Sequence, residues 1–305
     1  MNTPKAPKRA VNGVLLLDKP AGISSNTALQ QARRLFAAQK AGHTGVLDPL
    51  ATGLLPLCFG EATKFAQYLL DADKAYTATL KLGEATTTGD AEGDIIECGR
   101  SDIGVDEFQA ACAALTGPIR QVPPMFSALK HEGRPLYEYA RRGITIERKA
   151  RDITIYQIDI LEFAPPQAVL AVRCSKGTYI RTLAEDLARH LGSFAHLTAL
   201  RRTATAGFDI AAAHSLEVLA ALDTDGRDAL LLPCDVLVQH LPAVQADAAT
   251  VADVQCGRRA PFSGSLPNGQ PLRLYAADTQ DFVGLVEYLP QGCLKAVRLM
   301  NTAAD

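Results

Sequence analysis

The sequence predicts an α+β fold: a mixed, mostly antiparallel sheet with a smaller β-rich module at the C-terminal end. Segments that read as strands outnumber the strong helical ones, and the two kinds do not alternate as a doubly wound sheet requires. The pattern then changes near Pro233 to Pro242, leaving a tail too short for a self-sufficient core. Residues 1–240 form the expected main domain, and residues 245–303 a module that leans on it.

Residues 1–10 read as a basic tail carrying Lys5, Lys8 and Arg9. Residues 13–18 are a short apolar strand stopped by Lys19-Pro20. Ser24 or Ser25 caps a helix running to about Gln39, with Leu29, Ala32, Leu35 and Phe36 on one face. Residues 42–53 form a glycine-punctuated loop and 62–70 a short helix. From 75 to 83, Tyr76, Ala78, Leu80 and Leu82 alternate with Thr77, Thr79 and Lys81, the mark of a half-buried strand. A polar loop (86–94) and a helix (105–115) ended by Gly117-Pro118 follow. Residues 152–163 and 168–180 read as strands, 181–190 as a helix closed by Gly192, 207–210 as a strand and 215–222 as a helix. The tail holds a helix at 246–255 and strands at 272–276 and 282–288. The sequence has no internal repeat and no low-complexity tract.

Composition narrows the function classes. The chain of 305 residues is 48% hydrophobic with a formal net charge of -2, so a nucleic-acid partner would need local basic patches. The seven cysteines are scattered without a CxxC pair and read as reduced, small buried hydrophobes rather than a disulfide framework or zinc site. The apolar run from Val14 to Leu17 is too short for a signal peptide, and no segment approaches the roughly 18 apolar residues of a membrane span. The expectation is a soluble, cytoplasmic protein. Walker-type, HExxH, GxSxG and GxGxxG motifs are all absent from the sequence, which points to an aspartate-centred site with neither metal nor cofactor.

Three segments could carry that site. In Gly42-His43-Thr44-Gly45-Val46-Leu47-Asp48-Pro49-Leu50-Ala51-Thr52-Gly53, Pro49 biases Asp48 toward an extended backbone, so the loop can project one carboxylate, with the flat ring of His43 nearby. An Asx turn is the plainer reading of Asp48. In Lys176-Gly177-Thr178-Tyr179-Ile180-Arg181, strand alternation puts Gly177, Tyr179 and Arg181 on one face, where a ring and a guanidinium suit a planar base and a carboxylate. A core tyrosine and a surface arginine are the plainer reading. If Arg181 pairs with Asp48, the carboxylate is held ionised, with a pKa lowered by ~1–3 units. Residues 121–151 carry seven Lys or Arg against three Glu, with Tyr137 and Tyr139 interleaved. They are either a phosphate-binding arm that includes Lys130, Arg141 and Arg142 or a solvated loop. Tyr76 is a core aromatic by pattern, Lys64 a phosphate candidate or a surface lysine, and 86–90 a turn or a cleft wall.

Taken in order, the segments resemble a known family. Gly42 to Gly53 with Leu54-Leu55-Pro56 looks like the catalytic motif of the TruB family of tRNA pseudouridine-55 synthases. The resemblance continues through Asp18-Lys19-Pro20-Ala21-Gly22, Lys74-Ala75-Tyr76, Gln121-Val122-Pro123-Pro124, Ser127-Ala128-Leu129-Lys130, Lys176 to Arg181, and Leu200-Arg201-Arg202-Thr203. It covers residues 13 to about 242, and the tail resembles a PUA-like RNA-binding domain more loosely. The resemblance implies a pseudouridine-synthase fold with a central cleft, and isomerisation of uridine 55 in the tRNA T loop without a cofactor. It implies Asp48 as nucleophile, Arg181 as its partner, and Tyr76 packed on the target base. Tyr179 is then a uracil-site residue, the Leu200 main chain reads the uracil edge, and His43 fills the space vacated by the flipped base. It implies that 124–151 is a mobile arm closing on the T arm and elbow of tRNA; nothing in the sequence calls for a membrane, a protein partner or more than a monomer. A tRNA chaperone, a base-cleaving glycosylase and a guide-RNA-dependent synthase are the competing classes.

Overall fold

The computed structural model describes residues 7–301 apart from 265, so the start of the basic tail and the last residues of the expected module lie outside it. β1 (Gly13–Lys19) is antiparallel to β3 (Thr52–Phe59), and between them lie α1 (Ser25–Leu35) and the short β2 (Ala41–His43). Ser24 caps α1 by accepting from the Thr27 N–H, and Ala28, Leu29 and Ala32 face the core. The helix ends four residues before Gln39, because Ala37 turns into the left-handed region (φ 49) and its carbonyl accepts from the Arg9 N–H.

β4 (Lys74–Leu82) leads into the hairpin β5 (Glu84–Thr86) and β6 (Ile95–Cys98), then α2 (Val105–Ala114) and β7 (Gly117–Gln121). The basic segment carries β8 (Lys130–His131), β9 (Arg134–Pro135) and α3 (Leu136–Ala140). The chain returns through β10 (Arg151–Ala164), β11 (Gln167–Cys174), α4 (Ile180–His190), β12 (Ala195–Thr205), β13 (Phe208–Asp209), α5 (Leu216–Ala221) and α6 (Thr224–Asp228).

The large sheet has nine strands in the order β1-β3-β12-β4-β11-β10-β7, with β2 beside β3 and β13 beside β12. Every pairing is antiparallel except β12 with β3. Two interior strands of this sheet, β3 and β12, are absent from the sequence reading. β3 is buried along nearly its whole length and so shows no alternation, and β12 carries two register shifts against β4 that break its period. The helix expected at 62–70 is a pair of 3₁₀ turns, Gly60–Lys64 and Ala66–Leu69. The strand expected over 168–180 leaves the sheet at Cys174.

A second sheet of five strands is built from β14 (Ala243–Ala246), β15 (Ala260–Pro261), β16 (Pro271–Ala276), β17 (Phe282–Leu289) and β18 (Cys293–Leu299). α7 (Ala248–Gln255) covers it, capped by the Asp247 carboxylate, which accepts from the Thr250 N–H at 2.8 Å. This sheet does lean on the first. Leu285 joins Val14, Leu16, Leu54, Phe65 and Leu237 in one apolar cluster, and Phe65 meets Phe282 edge-on at 5.3 Å. Lys64 clasps the same junction, donating to Glu61 (2.7 Å), the Leu299 carbonyl (2.9 Å) and Asn301 (2.9 Å). The phosphate role expected of Lys64 does not fit this position, since three protein acceptors take up its ammonium.

Cys58, Cys112, Cys174 and Cys234 are buried as expected, whereas Cys98 and Cys256 are exposed and Cys293 is intermediate. Among the described residues, no helix is long and apolar enough to cross a membrane.

Candidate active site

The loop from Thr44 to Ala51 joins β2 to β3 and is pinned at several points. The Leu47 side chain is buried, its N–H donates to Ser25 Oγ (2.8 Å), and that hydroxyl donates to the Leu47 carbonyl (3.1 Å). The Pro49 carbonyl accepts from the Gly22 N–H (2.8 Å) and from Lys19 Nζ (3.4 Å). Lys19 is fully buried and also donates to the carbonyls of Pro20 (2.8 Å) and Ile23 (2.7 Å). Burial pushes its ammonium down to about 8, against the opposing charge of Asp48. Gly53 closes the loop at φ 100, where an added Cβ would lie 2.3 Å from the Arg202 carbonyl oxygen, so only glycine fits.

This anchoring presents Asp48 to Arg181, with Oδ2 3.0 Å from the guanidinium. Arg181 lies in the first turn of α4, and its side chain is only 5% exposed. It donates to the carbonyls of Thr88 (2.7 Å) and Phe126 (2.6 Å), and its Nε lies 3.6 Å from Asp90. Asp90 is also buried and accepts from the Thr88 hydroxyl (2.5 Å) and the Glu92 N–H (3.1 Å).

The expected depression of the Asp48 pKa is reversed here. Burial pushes the carboxyl up, Asp90 adds to that, and Arg181 and Lys19 oppose it without winning. The physical reason is burial in a crowded cleft, where one guanidinium shared between two carboxylates and two carbonyls does not offset the lost hydration. The 37% of the Asp48 side chain that stays open is enough for a substrate atom to approach.

Tyr76 lies on β4 directly opposite Arg202 on β12 and Val172 on β11. Burial raises its phenol, and Arg202 pulls the other way, so the group is a protonated hydroxyl at neutral pH. His43 sits on β2, where burial and then Arg202 push its imidazole down, leaving a neutral flat ring whose Nδ1 is buried without a partner. Leu200 is buried on β12 opposite Ala78, and its carbonyl accepts from the Thr52 hydroxyl at 3.5 Å.

The strand alternation expected for Gly177, Tyr179 and Arg181 does not occur. The chain turns after Cys174, Tyr179 is the N-cap of α4, and Arg181 is helical. Tyr179 is fixed instead by Gln121, whose amide accepts from the Tyr179 N–H (2.8 Å) and donates to its carbonyl (3.1 Å). Burial raises the Tyr179 phenol. Gln121 opens the basic segment and Phe126 lies within it, so the arm's root is bonded to both Tyr179 and Arg181. Further out, Lys130, Arg141 and Arg142 are exposed, with Arg141 over the Tyr137 ring at 5.4 Å.

Sequence reasoning gave no site role to Asp90, Lys19, Gln121 or Arg202. The one available signal was Thr86 to Asp90, left open between turn and cleft wall; both hold, since residues 87–88 turn the chain while the Thr88 carbonyl and the buried Asp90 meet Arg181. Among the described residues, no group of three or more His, Cys, Asp or Glu is placed to hold a metal ion.

Comparison with known proteins gives a consistent result. A family model described as TruB family pseudouridylate synthase (N terminal domain) matches residues 33–180, and one described as tRNA pseudouridylate synthase B C-terminal domain matches 181–239. The tRNA pseudouridine synthase B of Neisseria meningitidis serogroup B is 71% identical over 100% of this chain and 99% of its own length. That of Chromobacterium violaceum is 51% identical over the full length of both. Among solved structures, a chain of a Cbf5-Nop10-Gar1 complex superposes with TM-score 0.72 at 25% identity, over 95% of this chain and 84% of that one. A chain of an H/ACA RNP bound to a substrate RNA also gives 0.72, at 23% identity over 99% and 92%, and shares the fold.

Proposed function

The chain belongs to the TruB family of pseudouridylate synthases and isomerises uridine to pseudouridine in tRNA; we propose that its target is uridine 55 of the T loop and that Asp48 is the nucleophile. The observation that carries this reading is the Asp48–Arg181 pair at 3.0 Å, on a loop anchored by Lys19 and Ser25. The reaction breaks the bond from ribose C1′ to N1 and makes the bond to C5. It changes no oxidation state and needs no energy input, so a carboxylate that divides the barrier through a covalent intermediate is sufficient, without a cofactor.

The target uridine is flipped from its stack at a cost of a few kcal/mol. Stacking on Tyr76 or Tyr179 offsets this at roughly 1–3 kcal/mol per base, and His43 fills the vacated space. The Leu200 main chain reads the uracil edge, and Arg181 orients the Asp48 carboxylate and favours its ionised form. Residues 1–240 are the catalytic domain, and 124–151 are an arm whose Lys130, Arg141 and Arg142 meet phosphates of the T arm and elbow. The β-rich module at 245–303 is a PUA-like RNA-binding domain. The enzyme works as a cytoplasmic monomer without a protein partner.

The test is tritium release from C5-labelled uridine in unmodified tRNA, with Asp48→Asn beside the native chain. The native chain is expected to release tritium and leave the RNA mass unchanged, and the variant to bind tRNA without turnover. Release by the variant would refute Asp48 as nucleophile. A loss of RNA mass would indicate base cleavage instead of isomerisation.

A further inference from the structure

We propose that Arg202 is a positioning residue for Tyr76: it fixes the direction of the Tyr76 hydroxyl and supplies the positive charge that makes this phenol a better proton donor. The proposal rests on the reading of Tyr76 as a group that faces the substrate base.

Arg202 is 2% exposed, yet it holds no carboxylate among the described residues. Its neighbour Arg201 pairs with Asp18 at 2.7 Å, and Arg181 takes Asp48 and Asp90. The Arg202 Nε donates to the Leu54 carbonyl (2.7 Å) and one terminal nitrogen reaches the Val46 carbonyl (3.5 Å). The other terminal nitrogen is buried without an acceptor. A buried guanidinium without an anion is costly and calls for a reason.

Its position supplies one. The β12–β4 register sets Arg202 directly opposite Tyr76, so the two side chains leave the sheet on one face about 5 Å apart at Cβ. The same guanidinium flanks the Asp48 loop, 3.6 Å from where a Cβ on Gly45 would stand. A guanidinium only donates hydrogen bonds. The free Arg202 nitrogen, which has no acceptor, can therefore meet the phenol only at its oxygen, leaving the O–H for the cleft. The titratable groups facing Tyr76 are Arg202 from β12, Cys174 from β11 and Asp48 from the loop; Arg173 and Asp159, in register with Ala75 and Ala171, lie on the other face of the sheet. Burial, Cys174 and Asp48 all disfavour the phenolate, and Arg202 is the counterweight.

The experiment places 3-fluorotyrosine at position 76 of the full chain and follows its ¹⁹F shift with pH, in the native background and in Arg202→Met and Arg202→Lys. Arg202→Met is expected to move the midpoint upward by about 1 unit or more, and Arg202→Lys, which keeps the charge on a shorter reach, by less. In tritium release, Arg202→Met is expected to lower kcat by about 10²-fold while tRNA affinity stays within about 2-fold. An unmoved fluorine midpoint in folded Arg202→Met would overturn the proposal. If that variant does not fold, the neutral Arg202→Gln takes its place, and an unmoved midpoint there overturns it equally. The fluorine titration needs no turnover, so a midpoint that moves in a chain unable to release tritium would sink the uridine reading and leave the Arg202–Tyr76 coupling standing.

Discussion

The C-terminal sheet closes over Val244, Val254, Leu272, Leu274, Val286 and Leu294, and its interior contains no charged side chain among the described residues. The larger sheet buries an apolar core too, but it also encloses Lys19, Asp90, Arg181 and Arg202. Burying charge is unfavourable unless partners and hydrogen bonds compensate. The two regions therefore obey different rules: one is optimised for packing, and the other keeps ionised groups in a place where they weaken the fold. All four buried charges gather around one loop and one cleft, and that location is what marks the site.

The comparison is tested hardest at Asp48. Folding raises its pKa, so the folded chain holds that proton more tightly than the unfolded chain does. The group's stabilising contribution is full below the unfolded pKa and is lost as pH rises through the folded one. At neutral pH the ionised carboxylate thus weakens the fold. Asp48→Asn is expected to lower turnover by about 10⁴-fold or more, while thermal melting at pH 7 stays equal or rises. A clear fall in Tm would show that the pair is structural.

Arg181→Met removes the cation shared by Asp48 and Asp90, and kcat is expected to fall by about 10²–10³-fold, measured by tritium release at saturating tRNA. The C-terminal region should behave in the opposite way. Leu274→Ala is expected to destabilise its sheet by about 2–5 kcal/mol, read by hydrogen exchange, with kcat at saturating tRNA unchanged. A comparable fall in kcat would erase the distinction between the regions. The smallest effects are expected on the arm: Arg141→Ala or Arg142→Ala should weaken tRNA binding and lower the salt slope of log K by about 1 each, without changing kcat.

Much of this contrast was legible in the sequence, and the illegible parts have physical causes. Asp48 was a candidate because proline and three glycines let its loop project one carboxylate, but an Asx turn read more plainly, and the resemblance to the TruB family is what singled it out. Arg181 was visible for a partly wrong reason: it was read at the end of a strand, whereas a helix begun at Tyr179 carries it. Asp90 looked like a turn aspartate, and it does accept from the Glu92 N–H as turn aspartates do; its second role depends on α4, which is distant in the chain. Arg202 drew no side-chain role from the sequence, and only the β12–β4 register sets it opposite Tyr76 while Arg201 pairs with Asp18. Lys19 read as a strand terminator, and the three carbonyls that surround it come from later turns.

The central claim is that the reaction runs through the ionised Asp48 carboxylate in a cleft that resists its ionisation and a guanidinium that favours it. The pH dependence of single-turnover tritium release from C5-labelled uridine in tRNA tests this most directly. The native chain should lose activity on acidification with a midpoint above the ordinary aspartate value of about 3.9, and Arg181→Met should shift that midpoint higher still. A midpoint at or below the ordinary value, or one indifferent to Arg181, would contradict the account.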